Sequence, residues 1–166
     1  VLFRALGRRS LADDIPWLQL IIDGETEGDP ASAAQIYGFE DGFRAPEARR
    51  LHEGQLLGLA LRSSDLDQAL PFALEAGYDL LVLDGTSGLS KPWVELEGGP
   101  DLSIVRDTIR ALRRMNREED IELIYFGGVR SGTDTAKLIS PGCRAVLVVV
   151  ALGFALCGRI DGDTLP

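Results

Sequence analysis

The sequence predicts an α/β fold of parallel strands alternating with helices, and three observations predict it. Short runs of continuous apolar residues recur in the second half of the chain. Segments with apolar residues at helical spacing separate them. Glycine-rich or capped turns fall at the junctions. Strands apolar on both faces belong to parallel sheets covered on both sides by helices. The 166 residues, 45% of them hydrophobic, are enough for one domain with a real core and too few for two ordinary ones.

The elements follow in order. Trp17–Ile22 is a candidate strand. Gly24–Pro30 is acidic and polar, and Asp23 and Glu25 read as a solvent-facing turn with no partner ligands at metal spacing. Ala45–His52 is a candidate short helix. Residues 1–53 show no clean strand–helix rhythm and read as an irregular segment or an abbreviated start; residues 54–166 carry the regular units. Gln55–Leu61 is an apolar strand segment. Ser64–Ala76 places Leu66, Ala69, Leu70 and Ala73 at helical spacing, with Gly77 as terminator. Asp79–Leu83 reads as a buried strand, followed by a Gly-, Ser- and Pro-rich loop over Asp84–Pro100. Asp101 is placed to cap a helix whose predicted apolar stripe is Leu102, Val105, Ile109 and Leu112. Arg106, Arg110, Arg113 and Arg114 form its solvated face. Ile121–Phe126 is the next strand, Gly127–Gly132 a glycine-rich turn, Thr133–Ser140 a short helix and Ala145–Val150 a last buried strand.

Composition excludes several classes. A net charge of −9 argues against a nucleic-acid partner, which would require a basic face. Two cysteines, Cys143 and Cys157, supply neither a disulfide framework nor a metal ligand set. The longest apolar run, Ala145–Gly158, is shorter than a membrane span, and no stretch at the start resembles a signal peptide. The expectation is a cytoplasmic protein with no membrane partner.

The segment Phe126–Asp134 carries the most chemistry. It follows a buried strand and opens a helix. Gly127 and Gly128 let the backbone approach a ligand closely. Ser131 and Gly132 sit at a helix start, where unpaired N–H groups and the dipole favour a phosphate, and Arg130 adds a charged donor. In (β/α)8 barrels, the loops after the last strands often build such a site. The fold class is therefore α/β of the (β/α)8 TIM-barrel type. A complete barrel takes about 250 residues, so the chain reads as the C-terminal half of a barrel or an abbreviated one with parallel strands. A half barrel leaves sheet edges open, which predicts a homo-oligomer or a larger complex.

The run Gly127–Val146 resembles the phosphate loop of FMN-dependent barrels, and the resemblance extends over roughly Gly54–Gly158. Two families come close: the FMN domain of glutamate synthase with its stand-alone relatives, and the FMN-dependent α-hydroxy-acid oxidases. The oxidases place Asn-His-Gly after the strand that here ends Leu83-Asp84-Gly85. This chain's one histidine is His52, in the irregular first half. The glutamate synthase reading is therefore preferred. It implies FMN held by Asp84, Gly85, Thr86, Gly127, Gly128, Arg130, Ser131 and Gly132, and a small amino-acid substrate whose nitrogen is the reacting group. It identifies no catalytic residue and no metal.

Three departures from that pattern matter. Val149 stands where a second phosphate-binding glycine is usual. No lysine lies in Gly54–Ser63, where these families carry one facing the flavin; Arg62 is the nearest cation. No cysteine follows Cys157, so no iron–sulfur cluster is expected. Val149 and the absent lysine support an alternative, a barrel-derived binding or assembly subunit without flavin.

Overall fold

Six strands form one sheet: β1 (Leu18–Ile21), β2 (Ala34–Gly38), β3 (Leu56–Arg62), β4 (Leu80–Asp84), β5 (Glu122–Phe126) and β6 (Ala145–Leu147). They lie side by side in chain order, and every neighbouring pair is parallel. Helices α1 (Leu66–Ala76), α2 (Leu102–Met115) and α3 (Gly132–Ile139) follow β3, β4 and β5. The computed structural model describes residues 18–21, 27–39, 48–86 and 98–148. The sheet curls into a half-barrel of the TIM-barrel type, as expected when right-handed β-α-β crossovers add each strand beside the last.

Alternation along the strands divides the apolar residues between two cores. Leu57, Leu59, Leu61, Leu81, Leu83, Leu123 and Tyr125 pack outward beneath the helices, against residues such as Leu70, Ile104, Val105, Leu112 and Leu138. Ala34, Ile36, Ala60, Leu80, Val82 and Ile124 make the inner core, with Leu18, Phe126, Ala145 and Leu147 at its margin. The outward layer is mostly leucine, whereas the inner core mixes Ala34 and Ala60 with the larger Ile36, Leu80, Val82 and Ile124. Gly58 brings no side chain to it, and a Cβ there would lie 2.9 Å from Ile36 Cγ1.

The four strands expected in the second half are β3 to β6, parallel and in the expected order. Val149 and Val150 lie outside the described residues. In the first half, β1 lies within the expected Trp17–Ile22 strand, and β2 adds a strand that the pattern did not suggest. Gln35 hides it: this polar residue is fully buried on the outward side, where its Oε1 accepts from the Tyr37 hydroxyl at 2.8 Å.

Two expectations are corrected. Within the expected Ala45–His52 helix, the described residues 48–52 are not helical. Side chains hold this stretch instead: Leu51 N–H donates to Gln55 Oε1 at 2.8 Å, and Arg50 pairs with Asp79 at 2.9 Å. The buried stripe of α2 is Ile104, Val105, Thr108 and Leu112, whereas Leu102 is 43% exposed. Thr108 can be buried because its hydroxyl donates to Ile104 O at 2.8 Å. Other punctuation is as read. Gly77 ends α1 in the left-handed region at φ 73°, and the Asp101 side chain accepts from Ser103 N–H at the start of α2.

Candidate functional site

The C-terminal ends of β4 and β5 lie side by side, with Asp84 in register with Phe126. Asp84 is 4% exposed. Its Oδ1 accepts from Thr86 N–H at 2.9 Å and from the Thr86 hydroxyl at 2.5 Å, so the carboxylate folds the chain end over into a tight side-chain turn. Gly85 N–H continues the ladder to Phe126 O at 2.9 Å. A Cβ on Gly85 would run into the Tyr125 hydroxyl. That hydroxyl accepts from Asp101 N–H at 2.6 Å, which joins the strand-end turn to the first residue before α2. Burial pushes the Tyr125 phenol up to about 12.

The turn after β5 is built differently. Gly127 and Gly128 have φ values of 117° and 67°, a region that costs a residue with a side chain 1–2 kcal/mol or so. They are also places of close approach. A Cβ on Gly127 would collide with the Thr86 methyl group, and one on Gly128 would lie 2.5 Å from the Gly99 carbonyl carbon. Both glycines are thus needed by contacts within the chain. Beyond Val129 the turn opens: Arg130, Ser131 and Gly132 are exposed, and nothing lies within 4 Å of a Cβ built on Gly132.

Ser131 is the N-cap of α3. Its Oγ accepts from Asp134 N–H at 3.2 Å and donates to Asp134 Oδ2 at 2.9 Å. Arg130 N–H reaches the same carboxylate oxygen at 3.3 Å. The Ser131 hydroxyl, with help from the Arg130 amide, holds the Asp134 carboxyl below the usual carboxylate range. A negative charge therefore already sits at the helix start. Asp134 is the residue missed in reading the motif as an anion site, although Ser131-x-x-Asp134 has capping-box spacing.

Of the residues expected to bind cofactor, the structure brings Gly85 and Thr86 against Gly127, with Asp84 in register with Phe126, whereas Gly128 lies on Gly99 and Pro100. Arg130, Ser131 and Gly132 lie on the solvent side of the same turn. The open backbone at Gly132, the Arg130 guanidinium and the helix start fit a phosphate, with Asp134 as a local opponent. Arg62, which ends β3 in register with Asp84, is a second residue that sequence reasoning did not place. His52 is exposed in the turn before β3, with Nε2 3.4 Å from Ser32 O. It stands at the opposite end of the strands from Asp84. Cys143 is 3% exposed, and burial pushes its thiol up to about 11, as suits a small core residue. Among the described residues, no cluster of three or more potential metal ligands occurs, and no helix is long and apolar enough to cross a membrane. Asp23, Glu25, Lys91, Trp93, Val149 and Cys157 lie outside the described residues.

Fold and strand-end turns together define a protein of the β/α half-barrel class. No protein-family profile matches the chain. The chain is similar to a glutamate synthase large subunit-like protein of Rhizobium meliloti, with 35% identity over 89 residues. That match covers 49% of this chain and 20% of the relative, so this chain corresponds to a minor part of the relative's length. The glutamate synthase resemblance read from the sequence is borne out by this match. Among solved structures, DHODH from Eimeria tenella in complex with ferulenol superposes with a TM-score of 0.50 at 14% identity, covering 74% of this chain and 46% of that one. A mutant flavocytochrome b2 with benzoylformate gives a TM-score of 0.31 at 13% identity, over 80% and 56%. At 14% identity the DHODH superposition speaks to the fold alone.

Proposed function

We propose that this chain is a flavin oxidoreductase-type domain, similar to the FMN domain of glutamate synthase, that acts on amino-acid nitrogen. The observation that carries the reading is the juxtaposition of the Asp84–Thr86 turn and the Gly127–Gly132 turn at the C-terminal ends of adjacent parallel strands. Barrel enzymes place their active sites at that end. The sequence similarity to the glutamate synthase large subunit-like protein supports the choice of chemistry.

Arg130, Ser131 and the backbone of Gly132 would hold the FMN phosphate, and Asp84, Gly85 and Thr86 would border the rest of the cofactor. Bound flavin supplies the redox chemistry; the protein supplies position and electrostatics. Asp134 shares the helix start with the phosphate and opposes its charge, so binding is weak. Flavin titration followed by fluorescence tests the reading. Wild-type protein binds FMN, and Arg130→Ala loses about 1–3 kcal/mol of binding free energy through its charge-assisted hydrogen bond. Unchanged affinity in Arg130→Ala removes the phosphate from this turn.

A second reading, a flavin-free binding or assembly subunit, has one structural observation in its favour. Gly127 and Gly128 are fully employed by packing against residues 85–86 and 99–100, and thus do not require a ligand. A purified protein that is colourless and takes up no flavin selects this reading.

A further inference from the structure

The C-terminal ends of β4, β5 and β6 bring Asp84, Phe126 and Leu147 into one row. Asp84 is the register partner of Phe126, and Phe126 is that of Leu147. The row lies on the concave face. Phe126 and Leu147 border the inner core, and Val82, two residues before Asp84, belongs to it. Phe126 and Leu147 are half-buried, whereas Asp84 is 4% exposed. A carboxylate so buried needs partners for both of its oxygens. Oδ1 has them, because it takes both Thr86 donors, at 2.9 and 2.5 Å. No described residue donates to Oδ2. Among the described residues, the side-chain polar atoms sealed without a partner are Gln35 Nε2 and Tyr78 Oη, so Asp84 Oδ2 meets solvent from an otherwise buried side chain. The cation in register on the other side, Arg62, has its Nε 3.4 Å from Asp65 Oδ2. Its charge is met by a different carboxylate.

We propose that Asp84, Phe126 and Leu147 form a binding site for a primary ammonium group carried on an apolar body. Asp84 Oδ2 accepts from the ammonium, a charge-assisted hydrogen bond. The Phe126 ring adds the attraction of an aromatic face for a cation, and Leu147 continues the apolar wall. Thr86 fixes the carboxylate before the ligand arrives, which lowers the ordering cost of binding. A charged tail on the ligand would meet Phe126 and Leu147, so the row selects an amine whose remainder is apolar. The inference deepens the proposed function by naming the class of amine taken at that site. It rests on the part of that reading that makes the strand C-terminal ends the working end.

Calorimetric titration with n-pentylamine and with 1-pentanol, its uncharged counterpart, tests the site, alongside a separate FMN titration. n-Pentylamine binds wild-type protein. It binds about tenfold more weakly, or worse, to Asp84→Asn, which keeps the acceptor for Thr86 but loses the charge. It binds about threefold more weakly to Phe126→Ala. 1-Pentanol binds wild-type protein less tightly than the amine does, loses affinity in Phe126→Ala and is indifferent to Asp84→Asn. If Asp84→Asn fails to fold, the preference of wild-type protein for amine over alcohol and the loss in Phe126→Ala, a change to a half-buried side chain, decide the matter. Folded wild-type protein that does not bind the amine, or binds amine and alcohol equally, overturns the proposal, as does an affinity that neither variant changes. Wild-type protein that binds the amine as described but not FMN sinks the flavin reading and leaves this one standing. Protein that binds FMN while its amine affinity ignores both variants does the reverse.

Discussion

The turns after β4 and β5 occupy equivalent places in consecutive β/α units, yet they are held by different means. The β4 turn is closed by a buried carboxylate, Asp84, on the two donors of Thr86. The β5 turn is closed by the absence of side chains at Gly127 and Gly128, which lets it press against residues 85–86 and 99–100. The comparison shows that glycine in a strand–helix turn is not in itself a ligand signal. Two of the three glycines in Gly127–Gly132 answer to internal packing, and only Gly132 faces open space. What can mark a ligand site here is the polar chemistry around the glycines: Arg130, Ser131 and Asp134 on one side, Asp84 and Arg62 on the other.

The comparison breaks if the glycine turn tolerates side chains. Gly128→Ala combines a left-handed backbone with a Cβ against the Gly99 carbonyl, and it costs about 2–4 kcal/mol in urea denaturation. Gly85→Ala forces its Cβ onto the Tyr125 hydroxyl and costs about 1–3 kcal/mol. Tyr125→Phe alone leaves Asp101 N–H without its acceptor, at about 1–3 kcal/mol. The double variant Gly85→Ala/Tyr125→Phe costs less than the sum, because removing the hydroxyl makes room for the methyl group. Strict additivity places the two residues out of contact.

Alkaline titration sharpens the same picture. Burial raises Tyr125 and Tyr78 from 10.0 to about 12, and Cys143 from 9.0 to about 11. A raised folded-state value means that the unfolded chain gives up its proton first. The contribution of these three groups is therefore constant below pH 9, falls from pH 9 as the unfolded thiol ionises, and falls further between pH 10 and 12 as the unfolded phenols follow. Tyr125→Phe makes the fall above pH 10 shallower. An unchanged slope in that variant, followed by circular dichroism at fixed urea, contradicts the burial of this phenol.

The smallest effects separate the two halves of the β5 turn. Ser131→Ala removes the N-cap of α3 and costs about 1 kcal/mol. Gly132→Ala, whose Cβ meets nothing, changes stability by no more than about 0.5 kcal/mol. A Gly132→Ala cost equal to that of Gly128→Ala erases the distinction between packed and open glycines.

Much of the fold was legible before the structure. β3 to β5 carry apolar runs because both of their faces are covered, the half-buried β6 continues the rhythm at the sheet edge, and Gly77 and Asp101 bring the stereochemistry that ends and begins a helix. β2 was not legible because Gln35 interrupts its apolar run. The face of α2 was misread because Thr108 satisfies its hydroxyl on the helix itself and goes inside, while Leu102 at the first turn stays in solvent. At the candidate site, the Gly127–Gly132 turn was visible as a motif. Asp134 was visible too, as a capping residue, but its effect on an incoming anion depends on which backbone donors its carboxylate reaches.

Local sequence by itself determined the parallel β/α rhythm, the sites of chain reversal and the net acidic character. These follow from periodicity, from backbone stereochemistry at single positions and from net charge, none of which needs a partner distant in the chain. Only the tertiary structure decided that Gly85 lies under the Tyr125 hydroxyl, that Gly128 lies on Gly99, and that Arg62 and Asp84 stand in register. Those relations depend on strand register and on side chains reaching across the sheet, between residues that are 22 to 40 positions apart in the chain. No local pattern encodes the distance between such residues until the sheet has fixed it.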